Sequence, residues 1–266
     1  MRLRPVKARD KVALRDGDAR PPKSAPSGDE LGEKTKAERR RICDLQRTLY
    51  ADGRFGVLIV LQGRDASGKD GTIRSVFKGV NPQGVEVTSF KAPSETESRH
   101  DYLWRVHQRV PPRGFIGIFN RSHYEDVLVP RVRGSITKRV WTERYRQIND
   151  FERMLSENGL VILKFFLHIS RDEQKKRLEN RLADPERNWK FRQGDLGDRS
   201  LWSEYTSAYR DLLGACSTQW APWYVVPADS KKVRNWLVSR AIADTLARLK
   251  LRYPRASAEV RALRID

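Results

Sequence analysis

Between positions 63 and 71 the chain reads GRDASGKDG, in which Gly63, Gly68 and Lys69 meet the pattern G-x-x-x-x-G-K of a loop that cradles phosphate. Glycines let the backbone approach phosphate oxygens, the start of a following helix offers unpaired N–H groups, and the lysine adds a point charge. On this reading Gly63, Ala66, Ser67, Gly68, Lys69, Asp70, Gly71 and Thr72 line a phosphate or nucleotide site. Two acids depart from the usual pattern. Asp70 stands where a serine or threonine hydroxyl ordinarily holds magnesium, and Asp65 lies inside the loop. Carboxylates beside an anion site are repulsive unless a cation sits between them. Asp70, at a helix start where an acid is favoured, suits a structural role better than Asp65 does. Asp65 is therefore the candidate metal ligand, with loop stabilisation as its alternative.

A second stretch, FNRSHYEDVLV (119–129), puts Asn120 where a nucleoside triphosphatase would carry an acid at a strand end. Acids follow at Glu125 and Asp126, and a magnesium-dependent site needs one of them as its second carboxylate. Arg121 is placed to clamp a phosphoryl group in the transition state. His123 has only His107 as a neighbouring candidate, which makes no acid–base constellation, so it is not assigned to catalysis. The third stretch is QKKRLENRLADPERNWKFRQGD (174–195). Its Arg177 and Arg181 lie four apart and share a helix face, with Lys190 and Arg192 beyond. A basic segment in this place closes over phosphates in nucleotide kinases and keeps water out. A solvated helix knitted by pairs such as Glu173–Arg177 is the alternative.

The elements that must hold these residues follow from hydrophobic pattern. GVLIVLQ (56–62) is a continuous apolar run suited to a strand covered on both faces, and a helix follows from near Lys69. VEVTSF (85–90), FIGIF (115–119), LVILKFFLHIS (160–170) and PWYVV (222–226) read as further strands. Helices are expected from Thr35, from the capping box Ser94–Glu97 through Tyr102, Leu103 and Val106, over about 137–155, after the box Ser170–Glu173, over LWSEYTSAYRDLL, and over KKVRNWLVSRAIADTLARLK. Alternation of this kind calls for an α/β fold with a five-stranded, mostly parallel sheet and helices on both faces, ligands binding at the carboxyl ends of the strands. Residues 1–34 read as a basic arm, extended or loosely docked, 35–252 as the domain, and 253–266 as a tail.

Bulk charge agrees with a polyanionic partner. Lys and Arg number 53 against 34 Asp and Glu, a net charge of +19. Residues 1–41 hold 13 basic and 7 acidic side chains, a net of +6, so +13 falls on the rest and the excess is not only a tail. Two cysteines, Cys43 and Cys216, are too few and too far apart for a disulfide scaffold or a zinc site. No run of ~18 apolar residues and no signal-peptide core is visible, so a soluble cytoplasmic protein is expected, with no membrane contact.

GRDASGKDGT, SFKAPSETE, FNRSHYEDVLV and RLADPERNWKF, in this order and spacing, resemble the polyphosphate kinase 2 family over roughly residues 35–252. The resemblance implies a P-loop kinase-like three-layer α/β/α fold with a helical lid at about 177–200. It also implies reversible phosphoryl transfer between inorganic polyphosphate and a nucleotide, assisted by Mg²⁺, with Mn²⁺ as an alternative. By position, Asp65 and Asp126 match the family's metal-binding aspartates, and Lys69 and Arg121 its phosphate-binding residues. Arg177 and Arg181 match its lid arginines. Glu125 matches the branch that accepts both mono- and diphosphates, which points to AMP and ADP, with guanine nucleotides as further candidates. Apart from the resemblance, a homo-oligomer, dimer or tetramer, is expected, with apolar residues of the 137–155 helix as an interface and core packing as their alternative. Lys78, Lys91, Arg131 and Arg133 are candidate members of a track for the polymer, whose binding should weaken steeply with salt, and Asn120 at the strand end is a candidate phosphate- or nucleotide-binding residue. Two rivals stand beside this reading. One is an ATP-dependent nucleotide kinase. The other is a nucleic-acid-binding protein, against which the scattered tryptophans and the lack of a nucleic-acid motif count.

Overall fold

The computed structural model describes residues 1–191 and 193–265, so Arg192 of the basic segment lies outside the described residues. Five strands run in chain order: Gly56–Gln62 (β1), Val85–Ser89 (β2), Ile116–Asn120 (β3), Leu160–His168 (β4) and Trp223–Pro227 (β5). The helices are Gly28–Asp52 (α1), Lys69–Val76 (α2), Glu95–Ser98 (α3), Trp104–His107 (α4), Glu125–Val132 (α5), Lys138–Glu157 (α6), Arg171–Ala183 (α7), Gln193–Ser200 (α8), Trp202–Ala215 (α9), Lys231–Arg248 (α10) and Ala258–Ala262 (α11).

Every residue of β1 is buried, as its unbroken apolar run requires. Val57, Ile59 and Leu61 enter the core under α1, α2 and α10, while Leu58 and Val60 enter the core under α5, α6 and α9. That period of two makes β1 the middle of three layers. The sheet order is β2-β3-β1-β4-β5, and all four pairings are parallel. The chain leaves β1 toward β2 on one side and leaves β4 toward β5 on the other. The crevice at the carboxyl ends of β1 and β4 is thus the switch point where such sheets bind ligands.

Three local expectations need correction. The first helix begins at Gly28 rather than Thr35, because Asp29 and Glu30 favour its positive end and Leu31 continues the buried face of Ile42 and Leu49. The Ser94–Glu97 capping box forms, with both reciprocal bonds, but opens a helix of only four residues. Asp101 then accepts from the N–H groups of Leu103 and Trp104 at 2.9 and 3.1 Å, starting a new turn, so Tyr102 and Leu103 fall between two short helices. At Ser170 only half of the box is made: its hydroxyl accepts from Glu173 N–H, while the Glu173 carboxylate turns to Arg177.

The N-terminal arm is docked by its backbone. Val6 N–H donates to the Trp223 carbonyl at 2.8 Å beside an antiparallel bridge between Pro5 and Tyr224, so the arm extends the sheet past β5. Further on, Arg9 N–H bonds the Gly214 carbonyl, and the carbonyl of buried Ala19 accepts from Asp229 N–H.

A buried polar cluster fixes the turn that carries Glu125 and Asp126. Lys164 of β4 has its three ammonium hydrogens matched by Glu152 Oε2 (2.5 Å), the Tyr124 hydroxyl (2.8 Å) and the Cys216 carbonyl (2.7 Å). Glu152 Oε1 in turn meets the Tyr124 hydroxyl at 2.8 Å and His123 Nε2 at 3.3 Å. His123 is thus a core residue that anchors the turn. Burial disfavours the Glu152 carboxylate, but Lys164 and His123 outweigh it and hold the group below its usual range. Glu152→Ala strips the buried ammonium of its counter-charge and is expected to cost about 3–5 kcal/mol in urea unfolding. A loss under about 1 kcal/mol would show that the cluster does not hold the turn.

Candidate active site

The loop after β1 is shaped by conformations that few residues tolerate. Gly63 has φ +150°, and a Cβ there would come within 2.7 Å of the Leu167 carbonyl oxygen. Ala66 and Arg121 are non-glycine residues at φ 61° and 63°, an uncommon backbone that recurs at ligand sites. The N–H groups of the cap Gly68 and of Lys69, Asp70 and Gly71 face no turn of helix before them, and the first helical bond runs from Thr72 N–H to the Gly68 carbonyl. Thr72 also returns its hydroxyl to that carbonyl at 3.0 Å.

Lys69, Asp65, Arg121 and Glu125 are brought together here. Lys69 is 8% exposed, and its ammonium donates to the Gly63 carbonyl at 2.6 Å and the Arg64 carbonyl at 3.3 Å. Burial, reinforced by Arg121, pushes its pKa down, against the pull of Asp65, Glu125 and Asp70. Arg121 Nη2 donates to Asp65 Oδ1 at 2.6 Å. Burial opposes ionisation of Asp65, yet Lys69, Arg121 and Arg181 together hold that carboxyl below its ordinary value. Arg181 therefore acts on the site through its charge. Gln62, its amide nitrogen turned to Glu125, donates to Oε1 at 2.9 Å and accepts from Ser122 N–H at 3.1 Å.

Burial pushes the Glu125 carboxyl up, and Asp65 adds to this, outweighing Arg121 and Lys69. The sign follows from linkage. With its folded pKa above the unfolded one, Glu125 favours the fold while protonated, and that contribution is lost as pH rises through the raised value. Glu125→Gln should therefore gain thermal stability over wild type progressively as pH rises from the ordinary carboxyl value through the raised one. A gap that stays constant across that range would contradict the burial of this carboxyl.

Other candidates take different places. Asn120 donates to Asp70 Oδ1 at 2.8 Å, and Lys190 approaches Asp70 Oδ2 at 3.8 Å, so Asp70 joins the strand end to the basic segment. Asp126 points to Arg105, whose Nη2 lies 3.0 Å from Oδ2, and does not meet Asp65 directly. Arg133 pairs with Asp198 of α8 at 2.5 Å and so ties α5 to the basic segment. Lys91 is exposed at the lip of a cleft of about 330 Å³ between β2 and α3–α4, lined also by Phe90, Arg105 and Arg109.

Arg177 needs correction as a residue reaching for phosphate. Its five N–H groups are all engaged: Nε by Glu173 (2.7 Å), Nη1 by the Ala66 and Ser67 carbonyls (3.1 and 3.2 Å), and Nη2 by the Ala228 and Asp229 carbonyls (both 2.8 Å). It supports the loop from behind. Arg64 within the loop, and Arg105, Gln174 and Arg234, which contact Asp126, the Asp65 carbonyl and the Ser67 carbonyl, are positions that sequence reasoning passed over. Arg64 lies over the Trp202 ring at 3.7 Å and donates to Thr206 Oγ1 at 2.5 Å, and burial pushes its pKa to about 10. Gln174 donates to the Asp65 carbonyl at 3.1 Å. The signal for Arg64 and Gln174 was position, inside the loop and on the first turn after β4. Arg105 and Arg234 carried none.

A parallel sheet whose central strand feeds a glycine loop, a buried lysine at a helix start and an arginine after the neighbouring strand defines a P-loop kinase-type phosphotransferase. The chain belongs to the polyphosphate kinase 2 family, whose model matches residues 26–254. It is 58% identical over 215 residues to the AMP/ADP-polyphosphate phosphotransferase of Meiothermus ruber, covering 81% of this chain and 80% of that one. The ADP-polyphosphate phosphotransferase of Rhodopseudomonas palustris is 47% identical, with 84% and 81% covered. The crystal structure of polyphosphate kinase 2 from Arthrobacter aurescens TC1 superposes with a TM-score of 0.88 at 38% identity, covering 98% of each chain. The chain is a polyphosphate-dependent phosphotransferase.

Proposed function

We propose that the protein transfers phosphoryl groups between inorganic polyphosphate and both AMP and ADP, in either direction. The observation that carries this is the cluster of Lys69, Arg121, Asp65 and Glu125 about one phosphate loop. In the forward direction an oxygen of the acceptor's terminal phosphate attacks the end phosphorus of the polymer. A new P–O bond forms, the P–O bond to the next unit breaks, and the shortened chain leaves with the electron pair. Lys69 and the N–H groups of the loop hold the polymer end, while Arg121 matches charge on the group in transit. The acceptor phosphate is already largely ionised near neutral pH, so Glu125 serves to orient it more than to take a proton.

Magnesium fits the donor set. Asp65 and Asp126 offer hard oxygen ligands, each now balanced by a guanidinium, Arg121 and Arg105 respectively. Two carboxylates are what magnesium asks of a protein, since it keeps waters and takes phosphate oxygens alongside one or two of them. Asp65 and Asp126 would hold Mg²⁺, or Mn²⁺ in its place, which would neutralise charge shared by donor and acceptor phosphates. The segment 177–200 acts as the lid, with Lys190 at Asp70 and Asp198 at Arg133 marking its closed edge. No helix among the described residues is long and apolar enough to cross a membrane.

Acceptor range supplies the test. With polyphosphate and Mg²⁺, AMP and ADP should be consumed at rates within about tenfold of each other, and Glu125→Asn should widen that ratio by at least about tenfold. Rejection of AMP by wild type would overturn the two-acceptor reading. GMP and GDP run in parallel test guanine use, and light scattering on the same preparation tests the homo-oligomer.

A further inference from the structure

Arg234 lies in α10, far along the chain from the loop, and only 2% of its surface is exposed. Its Nη1 donates to the Ser67 carbonyl at 2.9 Å, the same oxygen that Arg177 Nη1 meets at 3.2 Å. On its other side Nε and Nη2 donate to Asn235 Oδ1 at 3.1 and 2.9 Å. Burial, with the Arg177 guanidinium beside it, pushes the Arg234 pKa down to about 9, and the group still carries its charge at neutral pH. Two like charges therefore meet on one carbonyl oxygen in the interior, where Glu173 at 2.7 Å from Arg177 Nε is the carboxylate that offsets part of the charge, an arrangement that opposes folding unless another interaction compensates.

We infer that Arg234, with Arg177, is a positioning residue for the phosphate chain: the pair grips the Ser67 carbonyl from beneath and so aims the loop's amide hydrogens at the anion. The peptide between Ser67 and Gly68 is planar and trans, so a carbonyl fixed toward the guanidiniums fixes the Gly68 N–H in the opposite direction. Behind that N–H stand the unpaired ones that open α2, the donors a phosphate group needs. The doubled charge also raises the potential at the loop without touching the ligand. Gly68 shows how tight the grip is. A Cβ there would stand 2.0 Å from Arg234 Nη1, and its φ of +99° is one that side chains rarely adopt. The glycine of this loop therefore answers to the arginine behind it as well as to the phosphate in front.

This inference rests on the phosphate site proposed above, and the test separates the two. Tripolyphosphate binding by calorimetry, without turnover, is compared among wild type, Arg234→Met, Arg234→Lys and Asn235→Ala. Arg234→Met is shorter but unbranched and apolar, so it fills the aliphatic part of the space without burying a charge, and it leaves Arg177 on the Ser67 carbonyl; it should fold, with tripolyphosphate Kd raised by about tenfold or more. The KM for polyphosphate should rise with it, while the KM for the nucleotide stays near wild type. Arg234→Lys, which keeps charge and one donor, should recover part of the loss. Should Arg234→Met not fold, Asn235→Ala, which only loosens the Arg234 guanidinium, should still weaken binding about threefold at an unchanged Tm. Wild-type affinity in the folded variants, or an equal rise in both KM values, overturns the positioning role. Failure of wild type to bind tripolyphosphate overturns the phosphate site itself and the inference with it.

Discussion

Lys69→Met should lower turnover by roughly 10²–10³-fold while leaving the melting temperature at or above that of wild type. The first half follows from contact: Lys69 is the buried ammonium at the start of α2, already drawn to the Gly63 and Arg64 carbonyls that frame the loop. A charge that meets the developing charge of the transferred group is worth most in such a water-poor place. The second half follows from the cost of burial, which already pushes the Lys69 pKa down. Methionine fills the same space with no charge to desolvate, and Asp65 keeps Arg121 as its partner at 2.6 Å. Steady-state rates beside thermal melts check both halves. A variant with intact turnover would remove Lys69 from the chemistry, and one that unfolds would make its role structural.

Asp65→Asn carries the second large effect. Magnesium dependence should shift so that half-maximal activity needs about 10–100 times more Mg²⁺, and saturation should not restore the full rate, because Arg121 loses its partner as well. Asp126→Asn should shift the same titration by a smaller factor. In that variant Arg105 keeps the Lys91 carbonyl at 2.9 Å as an acceptor, so the turn should survive. The surroundings of the two carboxylates also differ: Lys69, Arg121 and Arg181 all hold Asp65 ionised, whereas Asp126 pairs with Arg105 at 3.0 Å. Titration curves superposing on wild type in both variants would exclude the two aspartates as the metal's ligands.

What could be read from the chain beforehand was whatever rests on periodicity and local spacing. The run 56–62 announces a strand buried on both faces because the unbroken apolar stretch Val57 to Leu61 has no other stable place, and GRDASGKDG announces the loop that follows. Asn120, Arg121 and Glu125 meet the loop residues Asp65, Lys69 and Asp70 in one crevice, since strands β1 and β3 are neighbours and parallel, while Asp126 turns to Arg105. Arg177 was misread because its partners are main-chain carbonyls of Ala66, Ser67, Ala228 and Asp229, and a carbonyl has no residue type to signal it. Arg234 was invisible for the same reason, its target lying 167 positions away. The docking of the N-terminal arm rests on backbone bonds such as Val6 to Trp223, which a basic, proline-containing segment does not advertise. Asp101 broke the expected helix with a side-chain cap that competes locally with the helical bonds.

The most direct measurement follows the donor. Purified protein is incubated with polyphosphate, Mg²⁺ and AMP, with no ATP present, and the phosphorus spectrum is recorded over time. The expected result is the appearance of ADP and then ATP as polyphosphate end groups shift to shorter chains, with neither product formed by Lys69→Met on the same timescale. Unchanged AMP in this mixture, with ADP formed once ATP replaces polyphosphate as donor, would contradict the account and make the protein an ATP-dependent nucleotide kinase.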